Sequence, residues 1–291
     1  MRRLLLLGTL VLAGAAGMAA QPPAQPTTAE IEKVRDNLYM IRNGGGNTAV
    51  FITAKGVVLV DTKNPGWGER IMEKVRSVTD KPVTTIINTH THGDHVGSNE
   101  YFPASVEVVA HENTKANMEK MDMFMGGKAQ FLPDRTYKDK VTLLGGPDRI
   151  DLYHFGPGHT NGDTIVVFPE LRVAHMGDLF AGPGLPLIDV NNGGTGVKYP
   201  ETVEKAATGI TGVESVIPGH SAVTTWAAFA EFGEFNRAVL DNVQQAVKEG
   251  KSLEDAVAGF AVPEKFKSYN IGRAKANVTA IYNELKATGT R

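Results

Sequence analysis

The chain has 291 residues, 42% of them hydrophobic and 21% charged, an ordinary globular composition with enough apolar chain for a sizeable core. Its 30 basic and 32 acidic residues give a formal net charge of −2, and no basic stripe stands out, which argues against a nucleic-acid partner. There is no cysteine, so disulfides, thiolate metal ligands and cysteine nucleophiles are excluded.

Residues 1–20 have the pattern of a secretory signal peptide. Arg2 and Arg3 form a short positive region, Leu4 to Val11 is apolar, and Ala13 to Ala20 is rich in small residues. The apolar run is short for a bilayer span. Cleavage after Ala19 or Ala20 would remove both arginines and shift the formal charge from −2 to −4. The expected product is periplasmic or secreted, with no membrane association once the peptide is removed. Residues 21–30, containing "QPPAQPTT", read as a linker, and residues 31–291 as the folded domain.

Strand signals follow. "LYMIR" (38–42) and "TAVFIT" (48–53) flank "NGGG", a hairpin turn. "GVVLVDT" (56–62) is an apolar β-branched run ending in Asp61. Residues 66–80 place Ile71, Val75 and Val78 at helical spacing. "VTTIINTH" (83–90) and "VEVVAH" (106–111) predict strands, and "ENTKANMEKMDMF" a helix. Further on, "RIDLYHFG" (149–156), "DTIVVFP" (163–169), "RVAHMGD" (172–178) and "VESVIPGH" (213–220) predict strands. Residues 199–210, 224–249 and 276–288 predict helices. The strands are too apolar to face water, which implies sheet covered by helix. Similar element order in the two halves suggests a pseudo-symmetric pair of sheets with helices outside.

The chemistry concentrates in "NTHTHGDHVGSNEYF" (88–102). The chain has eight histidines, and three of them fall within six residues here. His90 and His92, two apart at the end of a strand, point the same way and can reach one ion. Asp94 and His95 follow where the chain turns into a helix, point elsewhere and can serve a second ion. Imidazole and carboxylate suit zinc, iron or manganese. Three more ligand types, His159, Asp178 and His220, sit just past the ends of separate apolar strands. Each follows a glycine (Gly158, Gly177 and Gly219), which permits a tight turn.

This ordered set, H-x-H-x-D-H followed by H, D and H, resembles the metallo-β-lactamase superfamily over about residues 34–220. The resemblance implies an α/β fold, an αββα sandwich of two facing mixed sheets with helices on the outer faces. It further implies two Zn²⁺ per chain, with iron or manganese as substitutes. His90, His92 and His159 would hold the first ion, Asp94, His95 and His220 the second, and Asp178 would bridge both. Asp61 would orient ligands without binding metal. The activity implied is hydrolysis of a small-molecule substrate. A hydroxide held between two ions would attack an ester, lactone or β-lactam carbonyl, and Asp94 would pass a proton to the leaving group. Two relatives compete with that reading: mononuclear iron persulfide dioxygenases and phosphodiesterases.

His111, His154 and His175 fall outside the ligand pattern and read as packed histidines. "MDMFMGG" (121–127) fits either a mobile cover over substrate or a packed stripe. Residues 180–196, rich in Gly and Pro, should line the pocket mouth, with Phe180, Asn191 and Asn192 as candidate substrate contacts. One group of zinc β-lactamases carries cysteine where Asp178 stands and a lysine three residues on. Ala181 occupies that second position here, so β-lactam turnover is expected to be weak, with Lys198 a candidate replacement cation.

Overall fold

The computed structural model describes residues 28–289. The signal-peptide reading, and the linker as far as residue 27, fall outside the described residues. Two sheets form. The first contains β1 (Glu30–Arg35), β2 (Leu38–Arg42), β3 (Thr48–Ile52), β4 (Val57–Val60), β5 (Val83–Ile87), β6 (Glu107–His111) and β7 (Arg135–Tyr137), in that spatial order. Its first four strands are antiparallel and β4 to β7 run parallel. The second runs β13 (Thr224–Thr225), β12 (Ser215–Ile217), β11 (Val173–His175), β10 (Ile165–Phe168), β9 (Ile150–Tyr153) and β8 (Lys140–Leu143). Only β11 and β12 are parallel there.

The alternation of side chains along each strand sorts the core into layers. From β3, Ala49 and Phe51 face the second sheet, while Val50 faces outward. From β10, Val166 and Phe168 face the first sheet, while Ile165 and Val167 face the helices. Phe51 and Phe168 meet between the sheets with ring centroids 5.0 Å apart. Outside the first sheet lies α1 (Gly68–Arg76), which buries Ile71 and Val75. Outside the second lie α4 (Tyr199–Gly209), α5 (Trp226–Lys248), α6 (Leu253–Ala258) and α7 (Ala274–Ala287). Short α2 (Gly93–Val96) and α3 (Glu112–Met118) follow β5 and β6. This is the expected αββα sandwich of facing mixed sheets.

Four strands differ from the sequence reading, one of them the two-residue β13, which occupies the start of the helix expected at 224–249. β1 begins at Glu30, inside the stretch read as linker, and β7 and β8 are also additional. These last three are edge or near-edge strands with charged residues on their open faces, so they lack the apolar runs that mark a buried strand. The expected helix over 112–124 ends at Met118 and continues as short 3₁₀ turns. No helix among the described residues is long and apolar enough to cross a membrane.

Candidate metal centre

The pairing pattern sets where the ligand types gather. β4 and β5 run parallel, so Asp61 and the 88–95 segment leave one edge of the first sheet together. In the second sheet β9, β11 and β12 share a direction, so the loops carrying His159, Asp178 and His220 emerge at a common edge. The two edges adjoin. His90, His92, His159 and Asp178 form one group, and Asp94, His95 and His220 a second, with ligand atoms within 4.8 Å of one another in each.

The spacings suit ions. Ligand atoms on a tetrahedral centre with bonds of about 2.0 Å lie roughly 3.3 Å apart. His92 Nδ1 and His159 Nε2 are 3.0 Å apart. His95 Nε2 and His220 Nε2 are 3.3 Å apart. Asp178 reaches into both groups, at 3.3 Å from His95, 3.2 Å from His220 and 3.9 Å from His159. His90 Nε2 and Asp178 Oδ1 are buried without a hydrogen-bond partner among the described residues. An orphaned acceptor and a ring nitrogen at the centre of such a cluster are costly unless an ion satisfies them.

The electrostatics prepare the same state. Burial, reinforced by neighbouring imidazoles, holds His90 well below the usual histidine range, and burial pushes His159 down to about 4. Both are therefore neutral, as a ligand must be. Burial opposes ionisation of Asp178, but His95 and His220 outweigh it and hold the carboxyl well below its usual range. His95 goes the other way: burial disfavours its charge, yet Asp178 and Asp61 raise it well above the ordinary value.

A second layer of hydrogen bonds aims these rings. Asp61 accepts from Thr89 N–H at 2.8 Å and Thr89 Oγ1 at 2.7 Å, and lies 2.7 Å from His95 Nδ1. Its φ of 64° puts it in the left-handed region, disfavoured without such anchoring. His159 Nδ1 is 2.8 Å from the Leu187 carbonyl. His92 Nε2 is 2.7 Å from Asp189, a carboxylate the sequence reading missed. Glycine is required where the backbone crowds the cluster: a Cβ on Gly219 would lie 1.9 Å from Asp178 Oδ1. Gly177, at φ 50°, makes the turn before Asp178.

His92, Asp94, Asp178 and His220 form part of the lining of a cleft of about 470 Å³, whose wall is residues 181–187, Phe232, Asn270 and Arg273. Asp94 is 32% exposed and sits 3.3 Å from His220. The three expected substrate contacts do not line it. Phe180 is 1% exposed and packs against Phe229 and Phe232. Asn192 donates from its side chain to Asp189 at 2.6 Å, and the Asn191 N–H also donates to Asp189. These two asparagines sit beside the cleft and order Asp189. Their loop position suggested the pocket, but a capping turn turns them toward the carboxylate. Lys198 is exposed, pairs with Glu201 and does not line the cleft.

His175 is saturated by the Asn47 carbonyl and the Gly177 N–H, and His111 stacks on His154 at 4.0 Å. The methionine segment is packed only in its first half: Phe124 is buried with Met118 against Val96 of α2, Met121 and Met123 are partly buried beside them, and Met125 is exposed. Arg273, in the wall, carried no sequence signal because it lies far along the chain from every ligand.

Residues 41–234 match the family model described as the metallo-beta-lactamase superfamily. The chain is 33% identical over 181 residues to metallo-beta-lactamase type 2 of Elizabethkingia meningoseptica, covering 56% of this chain and 67% of that protein. It is 31% identical over 159 residues to the alpha subunit of 2,4-dinitroanisole O-demethylase of Nocardioides sp. (strain JS1661), covering 52% of this chain and 47% of that one. Among solved structures, the metallo-beta-lactamase from Pontibacter korlensis aligns with a TM-score of 0.62 at 18% identity, covering 72% of this chain and 99% of that chain. The sec-alkylsulfatase Pisa1 from Pseudomonas sp. aligns with a TM-score of 0.74 at 13% identity, covering 90% of this chain and 51% of that chain.

Proposed function

The chain belongs to the metallo-β-lactamase superfamily, and from that premise we propose that it is an exported dinuclear zinc hydrolase acting on the carbonyl of a small ester, lactone or β-lactam. The observation that carries this reading is Asp178, an ionised carboxylate within reach of both ligand groups and with one oxygen orphaned. His90, His92 and His159 would hold one ion, Asp94, His95 and His220 the other, with Asp178 between. When bound, divalent ions supply a nucleophile at neutral pH by lowering the pKa of water, and stabilise developing negative charge.

The rest is the chain's own work. Asp61, Asp189 and the Leu187 carbonyl fix three ligand rings, so little reorganisation is needed on binding. The wall from Ala181 to Leu187 excludes water from one side of the cleft and offers a mainly apolar surface to substrate. Asp94 is the ligand-type carboxylate most exposed to the cleft, and it would take the proton released by the attacking water and deliver it to the leaving group. Export rests on the pattern of residues 1–20 and predicts a mature protein that begins near residue 20 or 21.

The test is a substrate panel on zinc-loaded protein: nitrocefin, a penicillin, an acyl-homoserine lactone, a thioester and a phosphodiester. The expected outcome is turnover of a lactone or ester, slow turnover of the β-lactams, and loss of both with a chelator. Activity on the phosphodiester alone would overturn the carbonyl reading.

A further inference from the structure

The loop between Asp178 and α4 carries two groups that aim ligand rings, the Leu187 carbonyl on His159 and the Asp189 carboxylate on His92. Residues 181–189 form no helix and no strand, apart from an isolated bridge between Gly184 and Asn270. The Leu187 side chain is exposed and does not anchor the loop by packing. An irregular segment of this kind must satisfy its backbone groups from elsewhere in the fold.

The partners come from the C-terminal segment. Leu185 N–H donates to the Asn270 carbonyl at 2.8 Å, and Asn270 N–H to the Pro183 carbonyl at 3.2 Å. Asn277, buried near the start of α7, donates from its side chain to the Pro186 carbonyl at 2.9 Å and to the Arg273 carbonyl at 3.2 Å. Farther along α7, Glu284 accepts from the Thr195 hydroxyl and, at 3.2 Å, from Val197 N–H. Between those two residues, Gly196 lies so close to Ile281 that a Cβ would not fit. The loop then ties back to the ligand turn: Asp189 N–H donates to the His159 carbonyl at 2.9 Å, and Thr195 N–H to the Gly158 carbonyl at 3.0 Å. Val278, Ile281 and Leu285 anchor α7 itself in the core.

We propose, on the reading of His92 and His159 as ligands of one ion, that Asn277 is a positioning residue for that ion, acting through the Leu187 carbonyl on His159. A peptide unit is planar, so once the Pro186 carbonyl is held, only the two backbone torsions of Leu187 separate it from the oxygen on His159. The imidazole is thereby held at the angle its other nitrogen needs to reach metal. Glu284 holds the far end of the same loop. Asn277 and Glu284 both lie outside residues 41–234 that match the family model, so this brace belongs to the chain's own C-terminal segment.

Asn277→Leu keeps the volume of the side chain and removes the donor. Leu285→Ala, at the far end of α7, loosens the core without touching a hydrogen bond to the loop. Both are compared with wild type by competitive zinc titration, with the His159 imidazole N–H resonance followed in ¹⁵N-histidine-labelled protein. In Asn277→Leu, the Kd of the ion that His159 reports should rise about tenfold to a hundredfold, and the His159 resonance should shift. Leu285→Ala should lower the urea midpoint and leave the Kd and the resonance as in wild type. An unchanged Kd in Asn277→Leu, or an equal rise in Leu285→Ala, would overturn the proposal. Where Asn277→Leu does not fold, Asn277→Ser, too short to reach Pro186, is read by the same two measurements with the same outcomes. If wild type binds no zinc, the ligand reading is what fails, and the metal-free His159 resonance then decides on Asn277: a shift in the variant supports its role, and an unmoved resonance refutes it.

Discussion

At the scale of single residues, ligand-type side chains and the groups that aim them differ in what their loss should do. Asp178 reaches both ligand groups, whereas the Asp189 carboxylate reaches a single ligand-type ring, that of His92. Asp178→Ala should therefore lose the more weakly held ion and reduce activity by at least about 100-fold, with the fold retained. Asp189→Ala should keep both ions but weaken metal affinity by roughly 10–100-fold, the usual cost of losing a group that orients a ligand. Metal titration followed by activity assay separates the two, and equal effects from both would contradict the bridging role. Asp189 escaped the sequence reading because nothing local marks it: it lies 97 residues from His92, and only the folded loop brings them together. Asp61 was legible because it ends an apolar strand run within a recognised motif.

At the scale of elements, the joint between β6 and the segment after β9 is a histidine pair. His111 stacks on His154, and His111 also caps α3 by accepting from the Asn113 N–H. Burial, then the neighbouring His154, pushes His111 down to about 4, against an ordinary value of 6.5. Between those two pH values the unfolded chain binds the extra proton and the folded chain does not, so stability must fall as pH drops through that window. His111→Gln removes this titration. Urea unfolding measured from pH 6.5 to 4 should show the stability gap between wild type and variant changing by about 2 kcal/mol, wild type losing more. Parallel curves would show that His111 does not carry the effect. The short helix α6 was absent from the sequence reading, and Ser252 caps it by accepting from Asp255 N–H at 3.1 Å. The edge strands β1, β7 and β8 were not readable, since their pairing partners, not their own apolarity, make them strands.

At the scale of the whole molecule, the site is the place where two sheets meet, and its metal content tests the assembly at once. Protein purified without added metal should contain two ions per chain, chiefly zinc. Elemental analysis giving one tightly held iron and no zinc would favour an oxidising, mononuclear relative instead. Chelation should also lower thermal stability. Binding at a hundredfold excess over Kd contributes about 2.7 kcal/mol per site, and removing the ions leaves buried histidines and carboxylates without their partner. A melting temperature unaffected by chelator would show that the cluster folds without help from metal.

The sequence by itself determined which histidines and aspartates gather at the sheet edges, their order along the chain and the layered α/β plan. Those depend on chemistry and spacing within short segments: His90 and His92 are two apart, Asp94 and His95 follow at a helix start, and apolar runs alternate with turns. It did not determine which loop residues face the cleft, because that depends on how segments far apart in the chain pack. Phe180 follows Asp178 by only two residues yet is drawn into the core by Phe229 and Phe232 of α5. Arg273, 95 residues beyond Asp178, is brought into the cleft wall by the contact between Gly184 and Asn270. Local periodicity is set by bonds along the chain, whereas the lining of a pocket is set by the burial of apolar surface between elements, which only the folded chain resolves.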